Sequence, residues 1–197
     1  NSEGLLNHHR GDAANHIYTH GNEYEDISPV LDYQKIPGTT VLEKGELPHH
    51  REIKKLGLTD FVGATTDEYY GVVGFDFKSV HDPLVARKSW FFFDDQYVCL
   101  GSGISTKLKN KVNTTINQCW LNGPVNINSK GKNRKIDNGS HVYQNVEWIH
   151  HDNVAYFLPA SGDIAIHNDL AEGSWWRINK QIDSPKDKIS KEVFKLW

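Results

Sequence analysis

Apolar and polar residues alternate along much of this chain with the period of two that a half-buried β-strand requires. In Val72-Val73-Gly74-Phe75-Asp76-Phe77-Lys78, one face carries Val73, Phe75 and Phe77, and the other ends in Asp76 and Lys78. Ser89-Trp90-Phe91-Phe92-Phe93, the polar Asp94-Asp95-Gln96 and then Tyr97-Val98-Cys99-Leu100 read as a hairpin with a short loop. Residues 142–149, His150-His151-Asp152-Asn153 and residues 154–158 read as a second. Further strands are expected over residues 16–20, 112–118, 164–167, 174–178 and 193–197. Turn signals recur at Pro37-Gly38, Asn122-Gly123-Pro124, Asn138-Gly139 and Ser161-Gly162-Asp163. No segment offers a long, capped apolar stripe of helical period. About a dozen strands spaced roughly 12 residues apart predict an all-β fold, a large antiparallel β-sandwich with almost no helix. Its expected core includes Val73, Phe75, Phe77, Phe91, Val98 and Leu100, which form the apolar faces of neighbouring strands.

No repeat or linker divides residues 1–197, so one sandwich domain is expected. Residues 129–140, with Lys130, Lys132, Arg134 and Lys135, read as a long exposed loop. Such a charge run is most simply a solvated hairpin; the alternative is a phosphate- or sulfate-binding patch. Charged residues make up 24% and hydrophobic ones 38%, which excludes a disordered tail or a fibrous rod. The net charge of -3, with scattered basic residues, argues against nucleic acid as a partner. No apolar run approaches the roughly 20 residues needed to span a bilayer. The sequence begins at Asn1, contains no Met and shows no signal-peptide pattern, as expected of a piece of a longer chain.

Two cysteines cannot build the disulfide framework of a small secreted domain. Cys99 lies in an apolar strand pattern and is expected to be a buried, inert thiol, with a disulfide to Cys119 as the alternative. Eleven histidines invite a metal reading. His16 and His20, however, flank a strand-like run that would hold them about 13 Å apart. No His-Glu-x-x-His or Cys-x-x-Cys spacing is present, and no metal or other cofactor is expected. His49-His50 and His150-His151-Asp152 read as polar loop residues. Nucleophile elbows, Walker loops and dinucleotide fingerprints are absent. Trp175-Trp176, if on a strand, point to opposite faces, and the outward ring could pack at an edge or stack on a sugar.

The N-terminal third carries the most specific pattern. Asn1-Ser2-Glu3-Gly4 is followed by Gly11-Asp12-Ala13-Ala14, and then by a stretch from Asn22 through Asp26-Ile27-Ser28-Pro29-Val30 to Pro37-Gly38-Thr39-Thr40. Further matches are Phe61-Val62-Gly63-Ala64, Ala86-Arg87-Lys88-Ser89-Trp90-Phe91-Phe92-Phe93-Asp94-Asp95, Leu100-Gly101-Ser102-Gly103-Ile104 and Thr114-Thr115-Ile116-Asn117-Gln118. Trp148-Ile149-His150-His151-Asp152 and Gly173-Ser174-Trp175-Trp176 complete the set. Together they resemble the central β-sandwich domain of family 8 polysaccharide lyases over nearly the whole chain, and the stretch from Asp26 to Thr40 looks closest to the chondroitin ABC type. Gly4 departs from the family's frequent Asn, and His8-His9-Arg10 from its commoner Trp-Tyr-Thr.

The resemblance implies a supersandwich, similar to galactose mutarotase, within a lyase that also has an N-terminal helical toroid and a small C-terminal β domain. It implies β-elimination on uronic-acid-containing polysaccharides such as chondroitin and dermatan sulfates, hyaluronan or xanthan. The C5 proton of a uronate is only weakly acidic, so its carboxylate must be neutralised before a base can act. In the family an Asn, a His, a Tyr base and an Arg come from the toroid and a Glu from the β domain. Glu3 matches that Glu and is the expected catalytic residue, accepting hydrogen bonds from the Arg and so orienting the Tyr. Without the resemblance, Glu3 reads as a surface carboxylate at a frayed terminus. Asn1, His8, His9, Arg10 and Phe61 are the implied substrate-binding residues. The implied partners are the acidic polysaccharide and the helical domain of the same chain, in a secreted or periplasmic bacterial monomer. The domain by itself is expected to be inert. A non-catalytic carbohydrate-binding module and a purely structural sandwich are the competing readings.

Overall fold

The computed structural model describes residues 4–49, 54, 56–159 and 162–197, so the expectations for Asn1, Glu3, His50 and Ser161 lie outside the described residues. In chain order the strands are β1 (Thr40–Leu42), β2 (Val62–Thr66), β3 (Gly71–Lys78), β4 (Val85–Phe93), β5 (Gln96–Ser105), β6 (Val112–Thr114) and β7 (Asn117–Trp120). They continue as β8 (Asn126–Ser129), β9 (Lys132–Lys135), β10 (Ser140–Tyr143), β11 (Val146–His151), β12 (Val154–Phe157), β13 (Ile164–Gly173) and β14 (Ile189–Leu196), with one helical turn α1 (Trp175–Ile178). Every pairing among them is antiparallel, as the alternation predicts. Three four-stranded sheets run β2-β3-β4-β5, β12-β11-β8-β9 and β10-β13-β14-β7, and β1 pairs with β6.

Turn chemistry sets the hairpins. Lys130 and Gly131 have φ of 54° and 71°, and Asp152 and Asn153 of 48° and 62°. Two consecutive left-handed residues match the twist of the flanking strands and allow a two-residue connection. Most of the stretch 129–140, expected as a loop, is therefore the β8–β9 hairpin and the start of β10. The second expected hairpin keeps His150 and His151 within β11 and turns on Asp152 and Asn153 alone.

The sheet β10-β13-β14-β7 is buried on both sides. One face sends Cys119, Ile164, Ile166, Phe194 and Leu196 against Val125, Ile127, Ile149 and Tyr156 of the sheet β12-β11-β8-β9 and its approach. The other sends Val193, with Trp120 and Ala171 beside it, against an irregular layer containing Leu6, Ile27, Val30, Leu31, Tyr33 and Ile36. The strand expected over residues 16–20 is absent, because side chains take its backbone donors. Ile17 N–H donates to the Tyr24 hydroxyl at 3.0 Å, and the N–H groups of Thr19, His20 and Gly21 donate to the Glu23 carboxylate. The strand expected over residues 174–178 is instead the helical turn α1, capped by the Ser174 hydroxyl, which accepts from Arg177 N–H at 3.2 Å. Trp175 packs into the inner cluster and the Trp176 ring lies under the Lys186 ammonium at 4.7 Å, so no strand presents either indole outward.

The meander β2-β3-β4-β5 corrects part of the expected core. Phe77, Ala86, Lys88 and Trp90 are buried on its inner face, where Phe75 opposes Lys88 and Val73 opposes Trp90. Phe91 pairs with Val72 and Val98, and Leu100 with Ser89, which puts all of these on the outer face. Val98 and Leu100 are accordingly 43% and 54% exposed. Both faces of the Trp90-Phe91-Phe92-Phe93 run are apolar, so alternation alone could not tell which pointed inward. Cys99 is exposed and free, contrary to the expected buried thiol. Cys119 is buried and also free, so there is no disulfide, and burial pushes its thiol up to about 12.

Candidate functional site

One end of the meander gathers the residues of interest. There β3 runs out at Lys78, and the segment before β2 lies against Asp76. Thr59 Oγ1 donates to the Asp76 carbonyl at 2.5 Å, and Asp76 N–H donates to the Phe61 carbonyl at 3.1 Å. These bonds place the Phe61 ring over a cross-strand pair of glycines, Gly63 and Gly74. A Cβ on Gly74 would lie 3.4 Å from Phe61 Cε1, and one on Gly63 3.6 Å from Cζ. The ring thus rests on bare backbone, and 59% of Phe61 stays exposed.

Beside the ring is a cavity of about 620 Å³ on the outer face. Its polar and apolar side chains follow the strand register in two rows. Gly74, Ser89 and Leu100 make one row, and Asp76, Arg87 and Ser102 the next. Asp76 and Arg87 oppose one another, yet neither forms an ion pair within 4.0 Å among the described residues. A flat aromatic ring, an aliphatic wall, a hydrogen-bond fork, a carboxylate and two hydroxyls are the groups that hold a sugar ring: one face stacks and the hydroxyl edge is read by donors and acceptors. Lys88 belongs to the opposite face. Its ammonium donates to the Gly38 carbonyl, and burial holds its pKa down at about 8.

The other expected site residues take different positions. His8 and His9 are buried, at 9% and 1% exposure, and pack with His81 in the turn after β3. The ring centroids of His8 and His81 are 4.6 Å apart. His8 Nε2 donates to the Pro48 carbonyl at 2.7 Å, and His81 Nε2 donates to the His8 carbonyl at 3.1 Å. His9 Nδ1 meets the Asp12 carboxylate at 2.8 Å. These contacts pin the segment that follows Glu3, and they engage the imidazoles with protein groups. Arg10 is exposed. Phe61 and the His8-His9-His81 cluster share one end of the meander, but Phe61 faces outward. Beyond Arg10 the chain meets the inner face instead, where Asn15 Nδ2 lies 3.8 Å from Cys99 Sγ.

Among the described residues, no three His, Cys, Asp or Glu side chains are grouped to hold a metal ion. No helix there is long and apolar enough to cross a membrane. Sequence reasoning missed Asp76, Arg87, Ser89, Leu100 and Ser102 as cavity residues. The available signal was the pairing of Gly63 with Gly74 beneath an aromatic residue, which becomes readable only once the register is known.

Comparison with known proteins gives the family of the fold. The family model of polysaccharide lyase family 8, super-sandwich domain, matches residues 1–197. The chain is 37% identical to chondroitinase-AC of Pedobacter heparinus over 201 residues, covering 100% of this chain and 28% of that protein. It is 30% identical to a hyaluronate lyase of Thermasporomyces composti, covering 100% of this chain and 26% of that protein. A solved chondroitinase AC lyase structure superposes with a TM-score of 0.90 at 34% identity, over 100% of this chain and 29% of that one. None of these three is of the chondroitin ABC type to which residues 26–40 look closest. The chain thus spans little more than a quarter of the length of these relatives. The match over its full length, together with the shared all-β architecture, shows that this chain belongs to polysaccharide lyase family 8, as its super-sandwich domain.

Proposed function

We propose that the whole protein is a polysaccharide lyase that depolymerises uronic-acid-containing glycosaminoglycans, chondroitin or dermatan sulfate and hyaluronan, by β-elimination. This chain would supply its central sandwich, and an N-terminal helical domain and a small C-terminal β domain would complete it. The observation that carries the reading is the full-length likeness to chondroitinase-AC at 37% identity. The sugar-sized cavity beside Phe61 supports it. In the reaction a base removes the proton at C5 of the uronate, the electron pair forms the C4–C5 double bond, and the C4–oxygen bond breaks as the leaving oxygen takes up a proton. Positive or hydrogen-bonding groups must hold the carboxylate while charge develops at C5.

Glu3 would align the Arg of the helical domain through a charge-assisted hydrogen bond. Phe61 would stack against one sugar, with Arg87 and Ser102 donating to its hydroxyls and Asp76 accepting from them. His8 and His9 would act from below, by holding the segment that carries Glu3. A polymeric, charged substrate does not cross a membrane unaided, which supports a secreted or periplasmic bacterial enzyme; a monomer suffices for this arrangement.

The test is the absorbance of the unsaturated uronate, measured with the full-length protein on chondroitin sulfate and hyaluronan. Steady growth of that chromophore is expected. Chain cleavage that yields saturated ends would replace the lyase reading with hydrolysis, and tight binding of polymer without cleavage would favour a carbohydrate-binding module.

A further inference from the structure

The second outward sheet face carries a different constellation. On β12-β11-β8-β9 the register aligns Phe157, Trp148, Asn128 and Asn133 in one row across all four strands. The next row is Ala155, His150, Asn126 and Lys135. All eight lie on the face opposite Ile127, Ile149 and Tyr156, which are in the core. Phe157 is 72% exposed, and Trp148 beside it is half-buried. Directly opposed side chains on antiparallel strands stand about 5 Å apart at Cβ, so the two aromatic residues form one continuous platform.

Two further observations say what the platform takes. Asn128 is 91% buried by its neighbours, its Nδ2 donates to Asn133 Oδ1 at 2.5 Å, and its Oδ1 has no hydrogen-bond partner among the described residues. The bond to Asn133 fixes that exposed side chain at the end of the aromatic row, where its amide N–H groups can donate to a sugar hydroxyl. Lys135 stands at the end of the second row, exposed and in no ion pair among the described residues, whereas Lys132 alternates onto the face of Arg134. Two acids of this sheet are engaged: Glu147 accepts from Gly131 N–H at 3.1 Å, and Asp152 accepts from His20 and from Asn122 Nδ2. Arg134 lies on the other side, over the Tyr143 ring at 5.1 Å.

We propose that this face is a second carbohydrate surface, which binds a stretch of acidic polysaccharide away from the Phe61 cavity. Sugar faces stack on Trp148 and Phe157, the Asn133 amide donates to a hydroxyl, and a carboxylate or sulfate group pairs with Lys135. The choice of an acidic polymer rests on the family reading; the surface itself rests on the register, the exposed Asn133 amide and the unpaired Lys135. A flat site of this kind holds a long chain near the enzyme without selecting one bond, so it lowers the KM for polymer and leaves short oligosaccharides unaffected.

The experiment is affinity electrophoresis of the full-length protein through gels containing chondroitin sulfate of polymer length or neutral dextran, together with rates on polymer and on a chondroitin tetrasaccharide. The double variant F157A/K135E should bind chondroitin sulfate about tenfold more weakly, from the loss of one stacked ring and one charge contact. Its KM for polymer should rise and its tetrasaccharide turnover should not. Lys135→Glu alone, at an exposed edge position, should give part of the loss and serves if the double variant melts at a lower temperature. Unchanged retention in both variants would overturn the proposal, as would an equal loss on dextran. A protein that retains chondroitin sulfate through this face but releases no unsaturated uronate would keep the surface and remove the lyase reading.

Discussion

The outward faces of two four-stranded sheets in this molecule are built from similar materials to different ends. The face of β2-β3-β4-β5 is hollowed: paired glycines drop the floor beneath Phe61, and Asp76 and Arg87 balance one another's charge. The face of β12-β11-β8-β9 is level: Trp148 and Phe157 stand side by side, and the charged residues of its edge strand β9 are all basic. A concave, charge-balanced site fixes the orientation of one ring, which an elimination needs if base and carboxylate are to be aligned. A level basic face attracts a chain without orienting it. The same alternation of side chains yields either, depending on where glycines remove a side chain and where lysines remain unpaired.

The two faces should respond differently to substitution. Glu3→Gln in the full-length protein keeps the size of the side chain but removes a charge-assisted bond worth roughly 1.5–3 kcal/mol. Turnover should then fall by about one to two orders of magnitude with a smaller change in KM, on polymer and tetrasaccharide alike. Phe77→Ala, beneath the hollowed face at 2% exposure, should cost roughly 3–5 kcal/mol. Hydrogen exchange should show that loss first in β3 and β4, while β8 and β11, which rest on a different cluster, keep their protection. Gly74→Val should push the Phe61 ring from its seat and reduce kcat/KM about tenfold on both substrates, with little change in melting temperature. If only the polymer rate fell, the cavity would be serving as a tether, and the contrast between the faces would collapse.

A smaller effect concerns the layer that joins the two regions. Burial works to raise the pKa of Glu23, but the donors from His20 and Thr19 prevail and hold it at about 2. Because the folded value is depressed, the stabilisation is present above the unfolded pKa, near 4.5, and is lost as pH falls from there toward 2. Glu23→Gln should remove that dependence and lower the melting temperature at pH 7, while at pH 2 it should change little.

Much of this architecture is legible in the chain. Alternation reveals β3, β4, β5, β11 and β12, and turn residues reveal where they reverse. Other parts are illegible for physical reasons. The Trp90-Phe91-Phe92-Phe93 run is apolar on both faces, so only the pairing of Phe91 with Val98 assigns Val98 and Leu100 to the outer side. The segment around His16 has strand composition, but Glu23 and Tyr24 supply the partners that a neighbouring strand would have supplied. Residues 174–178 read as a strand from their aromatic pair, but Ser174 caps them as the helical turn α1. The β9 strand is polar on both sides, which reads as loop until Lys130 and Gly131 are seen to close a tight turn. Phe61 enters through family resemblance, and the row Asp76, Arg87 and Ser102 emerges only when three strands are laid in register.

The hollowed face is proposed to hold the sugar chain for cleavage. A crystal structure of the full-length Glu3→Gln variant with a chondroitin tetrasaccharide tests it most directly. A sugar ring stacked on Phe61 is expected, with its hydroxyls within hydrogen-bonding distance of Arg87 and Ser102. An oligosaccharide bound in a productive pose that touches neither Phe61 nor Arg87 would contradict it.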